Sequence, residues 1–490
     1  MKDKMVQRKL IRLAALLAPV ALVGCSLFSD AEDIQKTVSG QPKVSFEALR
    51  AKDPQAQLGA REHPKIVQGY GGVYESAKIE QMLAPIAGAL VTYSDDPERA
   101  YDITVLNSPT VNAFALPGGY LYITRGLLAL ANDQAEIAAV LAHEIAHVSS
   151  NHGIARSNQA KAATIADRVV SEVVTHDMAG KVAKANAKRR LARFSQEQEL
   201  QADAQGIKLI GKAGYDPFAA ARFLEAMEDY SAWQKALKRG DDDMSSSHPS
   251  TPRRIELAKR HARAVGPQGS GQRNRDRYLS GINGMTFGDT AKEGFVRGNA
   301  FSHKALNITF SVPADFTLTN RAEAVLASGP NQSALRFDAA SARKIGNPVD
   351  YLKSGWVNGL DPASVQAFSQ NGMDGAKGRA IAGDWQFEIS ALKHKNRYFR
   401  FILASPKSGP ALSDIAASIT RSFREMSVAE RNALKPLRIK VVSVSASDTI
   451  ASLAAKMGGV SRKVQLFKAL NGLKDGQRLK AGDRVKLVVG

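Results

Sequence analysis

The sequence predicts a multidomain chain: a mainly α (α+β) domain over residues 67–264, an α+β domain over 278–430, and a small βααβ unit over 438–490. Three observations predict it. Helical apolar spacing dominates the first stretch, and period-two alternation takes over beyond residue 300. Between them "VGPQGSGQRNRDR", residues 265–277, is rich in Gly, Gln and Arg and reads as a linker. With 490 residues, 44% of them apolar, the chain can fill a core in each part.

The first segment is of another kind. Lys2, Lys4, Arg8, Lys9 and Arg12 precede an apolar run from Leu13 to Val23. That run is too short to span a bilayer and is charged on one side only, which predicts a signal peptide over residues 1–24. It ends in "LVGC", which resembles the lipobox of bacterial lipoproteins. The resemblance implies that Cys25, the chain's single cysteine, is lipidated and begins the mature protein, and that Ser26 after it directs the protein to the outer membrane. A lone cysteine has no disulfide partner, so the folded parts must rest on their cores. Residues 25–66 then read as a lipid-anchored tether with room for one helix. No later stretch reaches 18 uninterrupted apolar residues, so the membrane contact is through lipid alone.

The formal net charge is +20, of which the leader holds five basic residues and Asp3, leaving about +16 on the mature chain. Basicity of that size often means nucleic acid, but an exported lipoprotein does not meet the genome. Lipid headgroups, cell-wall carboxylates and lipopolysaccharide are the anionic partners within reach, with a diffusely solvated surface as the alternative.

The elements follow in order. "YGGVYESAKIEQMLAPIAGALV" turns helical; "YDITVLNSPTVNAFALPGGYLYITRGLL" alternates like strands, with a turn at Pro117–Gly119. Asp133 and Glu136 then open a helix through "IAAVLAHEIAHV" in the manner of a capping box. An Ala-rich, charged helical stretch follows, and "FSQEQELQADAQGIKLIGKAGYDP" closes on a helix that stops near Gly214, where Asp216 and Pro217 open the next. "DDDMSSSHPSTPRRIELAKRHA" is a polar loop feeding a short basic helix. Beyond the linker, "LNITFSVPADFTLTN", "ALRFDAA", "DWQFEISAL" and "YFRFILAS" read as strands, and "PVDYLKSGWVNGL" and "GPALSDIAASITRSFREM" as helices. His303 and His394 stand there as isolated structural or surface residues.

Chemistry concentrates in "LAHEIAHVSS", residues 141–150. Residues four apart on a helix share a face, so His143 and His147 can bind one tetrahedral cation, a single Zn2+ per chain, while Glu144 reaches water beside it as general base and acid. A catalytic zinc needs a third protein ligand. His152 falls one residue short of the position a neighbouring zincin pattern would give it. "ELQAD" offers a carboxylate instead: Glu199 and Asp203 lie one turn apart, so Glu199 can ligate while Asp203 orients an imidazole through its second nitrogen. Glu197, the rival, points about 200° away around the helix.

"HEIAH", then "ELQAD" 52 residues after His147, then "GYDP", with "NAFALPGGYLYITRGLL" upstream, resemble the gluzincin metalloprotease family that includes HtpX, the CAAX prenyl endopeptidase and soluble periplasmic relatives. The likeness covers roughly residues 69–260 and implies a zincin metallopeptidase domain with His143, His147 and Glu199 as ligands, Glu144 as catalytic base and Asp203 behind them. "HPSTPRR" matches the family's later His-Pro motif, which makes His248 and Arg254 candidates for stabilising the oxyanion; an imidazole on a Ser-rich loop could instead take the open zinc position. In the same likeness Asn112, Ala113, Phe114 and Ala115 form an edge strand to which a substrate chain adds itself by backbone pairing; an ordinary hairpin is the alternative. Membrane-spanning helices and a following helical-repeat array, present in relatives, are absent from this sequence.

The last unit, "KVVSVSASDTIASLAAKMG", "KVQLFKALNGL" and "GQRLKAGDRVKLVV", resembles a LysM domain, with Ser447 where that family usually has glycine. From Arg438 to Gly490 eleven Lys/Arg outnumber three Asp, which suits anionic wall polymers. Together these readings imply a zinc-dependent endopeptidase of the bacterial envelope, lipid-anchored in the periplasm, acting on unfolded or misassembled proteins and touching peptidoglycan through its last unit. A peptidoglycan-binding scaffold with a latent protease domain, or a hydrolase of peptidoglycan cross-links, are the alternatives.

Overall fold

The computed structural model describes residues 54–153, 155, 178–237, 248, 250–322, 324–343 and 345–490. The expected leader, Cys25 and the tether up to residue 53 lie outside the described residues, as does much of the Ala-rich stretch. The chain is multidomain and α plus β.

Helices α1 (Pro54–Gly69) and α2 (Ala77–Thr92) precede a three-stranded sheet of β1 (Asp102–Leu106), β2 (Ala113–Leu116) and β3 (Tyr120–Thr124). Its order is β1-β3-β2, with β1 parallel and β2 antiparallel to β3, so β2 forms an edge. The β2–β3 turn requires glycine twice: Gly118 and Gly119 have φ of +83° and +79°, and a Cβ on Gly119 would lie 2.0 Å from the Ala100 carbonyl oxygen.

Thr124 caps α3 (Arg125–Leu130), and Asp133 caps α4 (Gln134–Ser149), accepting from the Glu136 amide at 2.9 Å. Only His147 and Ser149 of α4 are not buried, so the helix runs through the core and has no solvent face. Against it pack α2, α5 (Met178–Lys212) and α6 (Ala219–Ala236), and α7 (Pro252–Val265) packs in turn on α5 and α6. Helix α5 approaches it closely at Gly206, where an added Cβ would stand 3.1 Å from the backbone nitrogen of His143. That glycine lets the two backbones approach, which brings the "ELQAD" turn to the "HEIAH" turn.

Residues 265–277 are not a free linker. The Gln272 amide donates to Gly214 O at 2.8 Å, the Gln134 amide donates to Arg273 O at 3.0 Å, and Arg273 Nε meets Asp133 Oδ2 at 2.8 Å. The polar composition that suggested flexibility serves paired charges. Helix α8 (Arg275–Ile282) continues from it and buries Tyr278, Leu279 and Ile282 completely in the first core, so the α+β domain starts later than 278.

Strand β4 (Thr286–Phe287) stays with that first core. Then come β5 (Phe295–Arg297), β6 (Ala300–His303), β7 (Ile308–Ser311), β8 (Thr317–Asn320), β9 (Val325–Ser328), β10 (Ala334–Ser341), α9 (Pro348–Lys353), β11 (Gln366–Gln370), β12 (Met373–Ala382), β13 (Trp385–His394), β14 (Arg397–Pro406), α10 (Ser413–Ser422) and β15 (Arg424–Glu425). They form an antiparallel seven-stranded sheet, β11-β12-β13-β14-β10-β9-β8, and a four-stranded one, β15-β7-β6-β5. Alternation along β10 and β14 sends Phe337, Phe399, Phe401 and Leu403 to a phenylalanine-rich core with Phe301, Phe310 and Phe423, while Tyr398 and Ile402 face α9 on the other side.

After α11 (Val428–Ala433) the chain forms β16 (Leu437–Ser443), α12 (Ile450–Ala455), α13 (Lys463–Asn471) and β17 (Arg484–Val489). Strand β16 pairs with β17 on one side and β4 on the other. Leu453, Leu466, Phe467, Leu470 and Leu487 join one continuous core with Ile137, Leu141, Ile210 and Trp233. Each fully buried leucine in it contributes about 1.5–3 kcal/mol, so the last unit and the helical region stabilise each other. Lys486 is wholly buried, and its Nζ donates to the carbonyls of Ala129, Leu130 and Ala131 at 2.9, 3.0 and 2.6 Å, capping the C-terminal end of α3.

Candidate metal centre

One turn of α4 and one of α5 supply the site. His143 Nε2 and His147 Nε2 stand 3.0 Å apart, with Glu199 Oε2 3.3 Å from the first and Glu199 Oε1 3.4 Å from the second. His248 completes the group: its Nδ1 lies 2.8 Å from Glu199 Oε2 and 3.3 Å from His143 Nε2. One donor atom from each of these four residues lies within 4.8 Å of every other. Four donors bound to zinc at about 2.0–2.1 Å stand about 3.4 Å apart, so the cluster fits that ion in size and in ligand chemistry.

Both imidazoles on α4 are oriented from behind. His143 Nδ1 meets Asp203 Oδ1 at 3.0 Å, which leaves Nε2 for the cluster. His147 Nδ1 meets His152 Nδ1 at 2.8 Å, and His152 Nε2 meets Gln201 Oε1 at 3.3 Å. With the His147 Nδ1 proton donated to His152 and the His152 Nε2 proton donated to Gln201, His147 Nε2 too is a free lone pair. His152 is therefore not in the donor cluster; it holds a residue that is. Sequence reasoning weighed it only as a ligand. The signal for its actual place was Asn151, which adopts a left-handed φ of 53° just past α4 and turns the chain back.

Arg254 is tied to two carboxylates of α5. Its Nε and Nη2 both donate to Asp203 at 2.8 Å, and Nη1 lies 3.2 Å from Glu199 Oε2. Buried at 6% exposure, it holds the two carboxylates in place by charged hydrogen bonds.

The charges respond to this packing. Burial disfavours a charged His143, but hydrogen bonds to Asp203 and Glu199 outweigh it and push its pKa up to about 10. Burial dominates at His147 and pushes it down to about 3. Glu199 would rise on burial, yet its bonds to His143, His147 and His248 hold it far below the usual carboxylate range. Asp203 is likewise brought down to about 2, by Arg254 and His143 against burial. Zinc would need His143 Nε2 as a lone pair, so its binding would compete with protonation of that imidazole. Glu144 is different. Burial pushes its carboxyl up against the charges of His248 and His143, and its buried Oε1, 3.9 Å from His248 Nε2, has no hydrogen-bond partner among the described residues. A buried carboxylate left unsatisfied beside a donor cluster is poised for water or substrate.

The substrate strand is placed as follows. Residues Ala113–Leu116 are β2, the sheet edge, and β2 packs against α4. Asn112 is buried just before it, and its Nδ2 donates to Tyr70 Oη at 3.0 Å. Glu197 is exposed and outside the cluster; Cys25 lies outside the described residues. His394 of the later sheets pairs with Glu425 at 3.1 Å, away from the site.

Comparison with known proteins gives the same region. Residues 74–262 match the family described as Peptidase family M48. The chain is 30% identical over 216 residues to the mitochondrial metalloendopeptidase OMA1 of Schizosaccharomyces pombe, covering 43% of this chain and 60% of that protein. It is 31% identical to the Arabidopsis thaliana protein of the same name, over 32% of this chain and 31% of that one. Against the beta-barrel assembly-enhancing protease of Yersinia pestis it is 27% identical, over 39% of this chain and 40% of the relative. The chain thus spans between 31% and 60% of the length of these relatives.

Proposed function

We propose, from the premise that residues 74–262 are a metallopeptidase domain of the M48 kind, that the chain is a zinc-dependent endopeptidase of the bacterial envelope that cleaves unfolded or misassembled proteins. The observation that carries it is the convergence of His143, His147 and Glu199 from two helices beside the unsatisfied carboxylate of Glu144. The names of the bacterial relatives support the envelope and the substrate class.

Zinc held by His143, His147 and Glu199 would supply Lewis acidity at the scissile carbonyl. The protein does the rest. Glu144 takes the proton of the attacking water and delivers it to the leaving nitrogen; burial raises its pKa, which suits a group that must both accept and return a proton. Asp203 and the His152–Gln201 pair keep the two imidazoles in one tautomer each. Strand β2 offers its free edge to an extended substrate, so selection depends on a chain being unfolded more than on its sequence. His248, the fourth residue of the donor cluster, would hold the zinc with the other three and could give way to substrate. Exchange of His248 for Ala should raise basal activity or weaken metal retention; no change in either removes it from this role.

The last unit, with its excess of Lys and Arg, adds affinity for anionic wall glycan, and the lipidated Cys25 holds the protein at the outer membrane. Among the described residues no helix is long and apolar enough to cross a membrane. The deciding experiment joins metal analysis of the full chain with casein digestion: one zinc per chain, lost in Glu199→Ala, and digestion abolished in Glu144→Gln with the zinc retained. Digestion by Glu144→Gln at the wild-type rate would sink the proposal.

A further inference from the structure

The seven-stranded sheet takes no part in the metal cluster, yet it encloses the more unusual cavity. Alternate residues of β10, β12, β13 and β14 turn one face towards a space of about 360 Å³, roofed by Trp356 and Val357 after α9. Its walls are apolar, with Ala380, Phe387, Ile389 and Ile402. Its polar end is ionic: Asp338, 8% exposed, accepts from Arg336 Nε at 2.8 Å and from Arg400 Nε at 2.5 Å. One carboxylate between two guanidinium groups leaves a net positive charge.

Each arginine is aimed. Arg400 lies 4.8 Å over the Trp356 ring and reaches Tyr351 Oη at 3.4 Å. Arg336 has a side chain 47% exposed and gives Asp338 its Nε, which leaves its two terminal nitrogens as further donors. Oriented guanidinium donors beside an apolar wall are the chemistry that binds a carboxylate carried next to an apolar group.

What the occupant is follows from the neighbouring space. A second cavity, about 400 Å³, shares Arg336 and is bounded by Leu326 and Arg321 on the sheet side and by Tyr70 and residues 107–110 on the peptidase side. Residues 107–111 lead straight into β2, and Tyr70 holds Asn112 at its start. The second cavity therefore borders both the segment that precedes β2 and Arg336. Asp289 and Glu293 line it too, so negative charge on an occupant is repelled there and drawn to the arginine end.

We propose that the cavity under Trp356 holds an apolar residue and an adjoining carboxylate of an extended polypeptide, with Arg336 and Arg400 taking the carboxylate, while the same chain lies on β2. The proposal rests on the peptidase reading for the occupant being a polypeptide. The carboxylate is either a chain terminus or an acidic side chain, which are the same chemistry to the two arginines.

The test is fluorescence anisotropy with the full-length Glu144→Gln protein and three labelled peptides of one apolar sequence: a free C-terminal acid, its amide, and the amide with a glutamate before the last residue. At least one acid-bearing peptide should bind about tenfold more tightly than the plain amide, the size expected for a charged hydrogen bond. Arg336→Gln, at an exposed position, should remove that difference, and in the active protein it should raise KM for a long substrate. Equal binding of all three peptides overturns the proposal, as does an unaltered preference in Arg336→Gln. Displacement of every peptide by phosphatidylglycerol vesicles with no difference between acid and amide would make the cavity a lipid site and equally overturn it. Binding is read here without turnover, so it can fail while casein digestion stands, and stand while casein digestion fails.

Discussion

Helix α4 carries buried charge at both ends, and the two ends are finished differently. At its start Asp133 meets Arg222 at 3.2 Å and Arg273 at 2.8 Å, Arg222 also reaches Asp216 at 2.6 Å, and Glu136 accepts from the Asn132 amide at 2.8 Å. Every carboxylate there has a partner from the chain itself. Towards its other end three imidazoles and Glu199 crowd together, and Glu144 keeps an oxygen with nothing to bond. The first cluster holds parts of the chain in place; the second is complete only when something enters. Burial of charge alone does not separate structure from chemistry; what marks the second end is a carboxylate oxygen, Glu144 Oε1, left without a partner beside a set of donor atoms.

The largest break in that comparison comes from Glu144→Gln. Loss of the general base should lower kcat by about 10²–10⁴-fold in a protease assay, while the melting temperature stays the same or rises, because a buried carboxylate without a partner is removed. The opposite pattern belongs to the start of the helix. Lys486→Met strips three buried carbonyls of their donor and should cost about 3–5 kcal/mol of stability in chemical denaturation, with kcat of the folded fraction within about twofold of wild type.

A pH series sharpens the contrast. Burial, then the charge of Asp133, raises Glu136 from 4.5 to about 7 in the folded protein. A carboxyl raised in this way favours folding fully below its unfolded value and loses that contribution as pH rises through its folded one. Wild type should therefore lose stability between pH 4.5 and 7 relative to Glu136→Gln, and parallel denaturation curves across that range would refute it. The smallest effect lies between the two ends. Gly206→Ala presses a methyl against the His143 backbone and should cost about 1–3 kcal/mol, with weaker zinc retention read by chelator competition.

Legibility followed distance along the chain. His143, Glu144 and His147 share one helix, so spacing alone put them on the right faces. Glu199 and Asp203 showed their common face in the same way, but their meeting with α4 was readable only through family likeness, since Gly206 gives no sign of which helix it approaches. The stretch 265–277 misled because Arg273 and Arg275 look like solvated charge until Asp133 and Asn132, about 140 positions earlier, are set beside them. The union of the last unit with the helical core was hidden in the same manner. Its one cue was Lys486 inside the run "VKLVV", where an alternating strand places a lysine among residues that face inward.

The bond from Lys486 to Ala129 joins positions 357 residues apart. A ribosome delivers the chain in order, so the helix bearing the two imidazoles emerges long before the strand that secures its approach. Until that strand arrives the three carbonyls at the end of α3 lack their buried donor, so the frame that leads into the imidazole-bearing helix is finished only when almost all of the chain has been made.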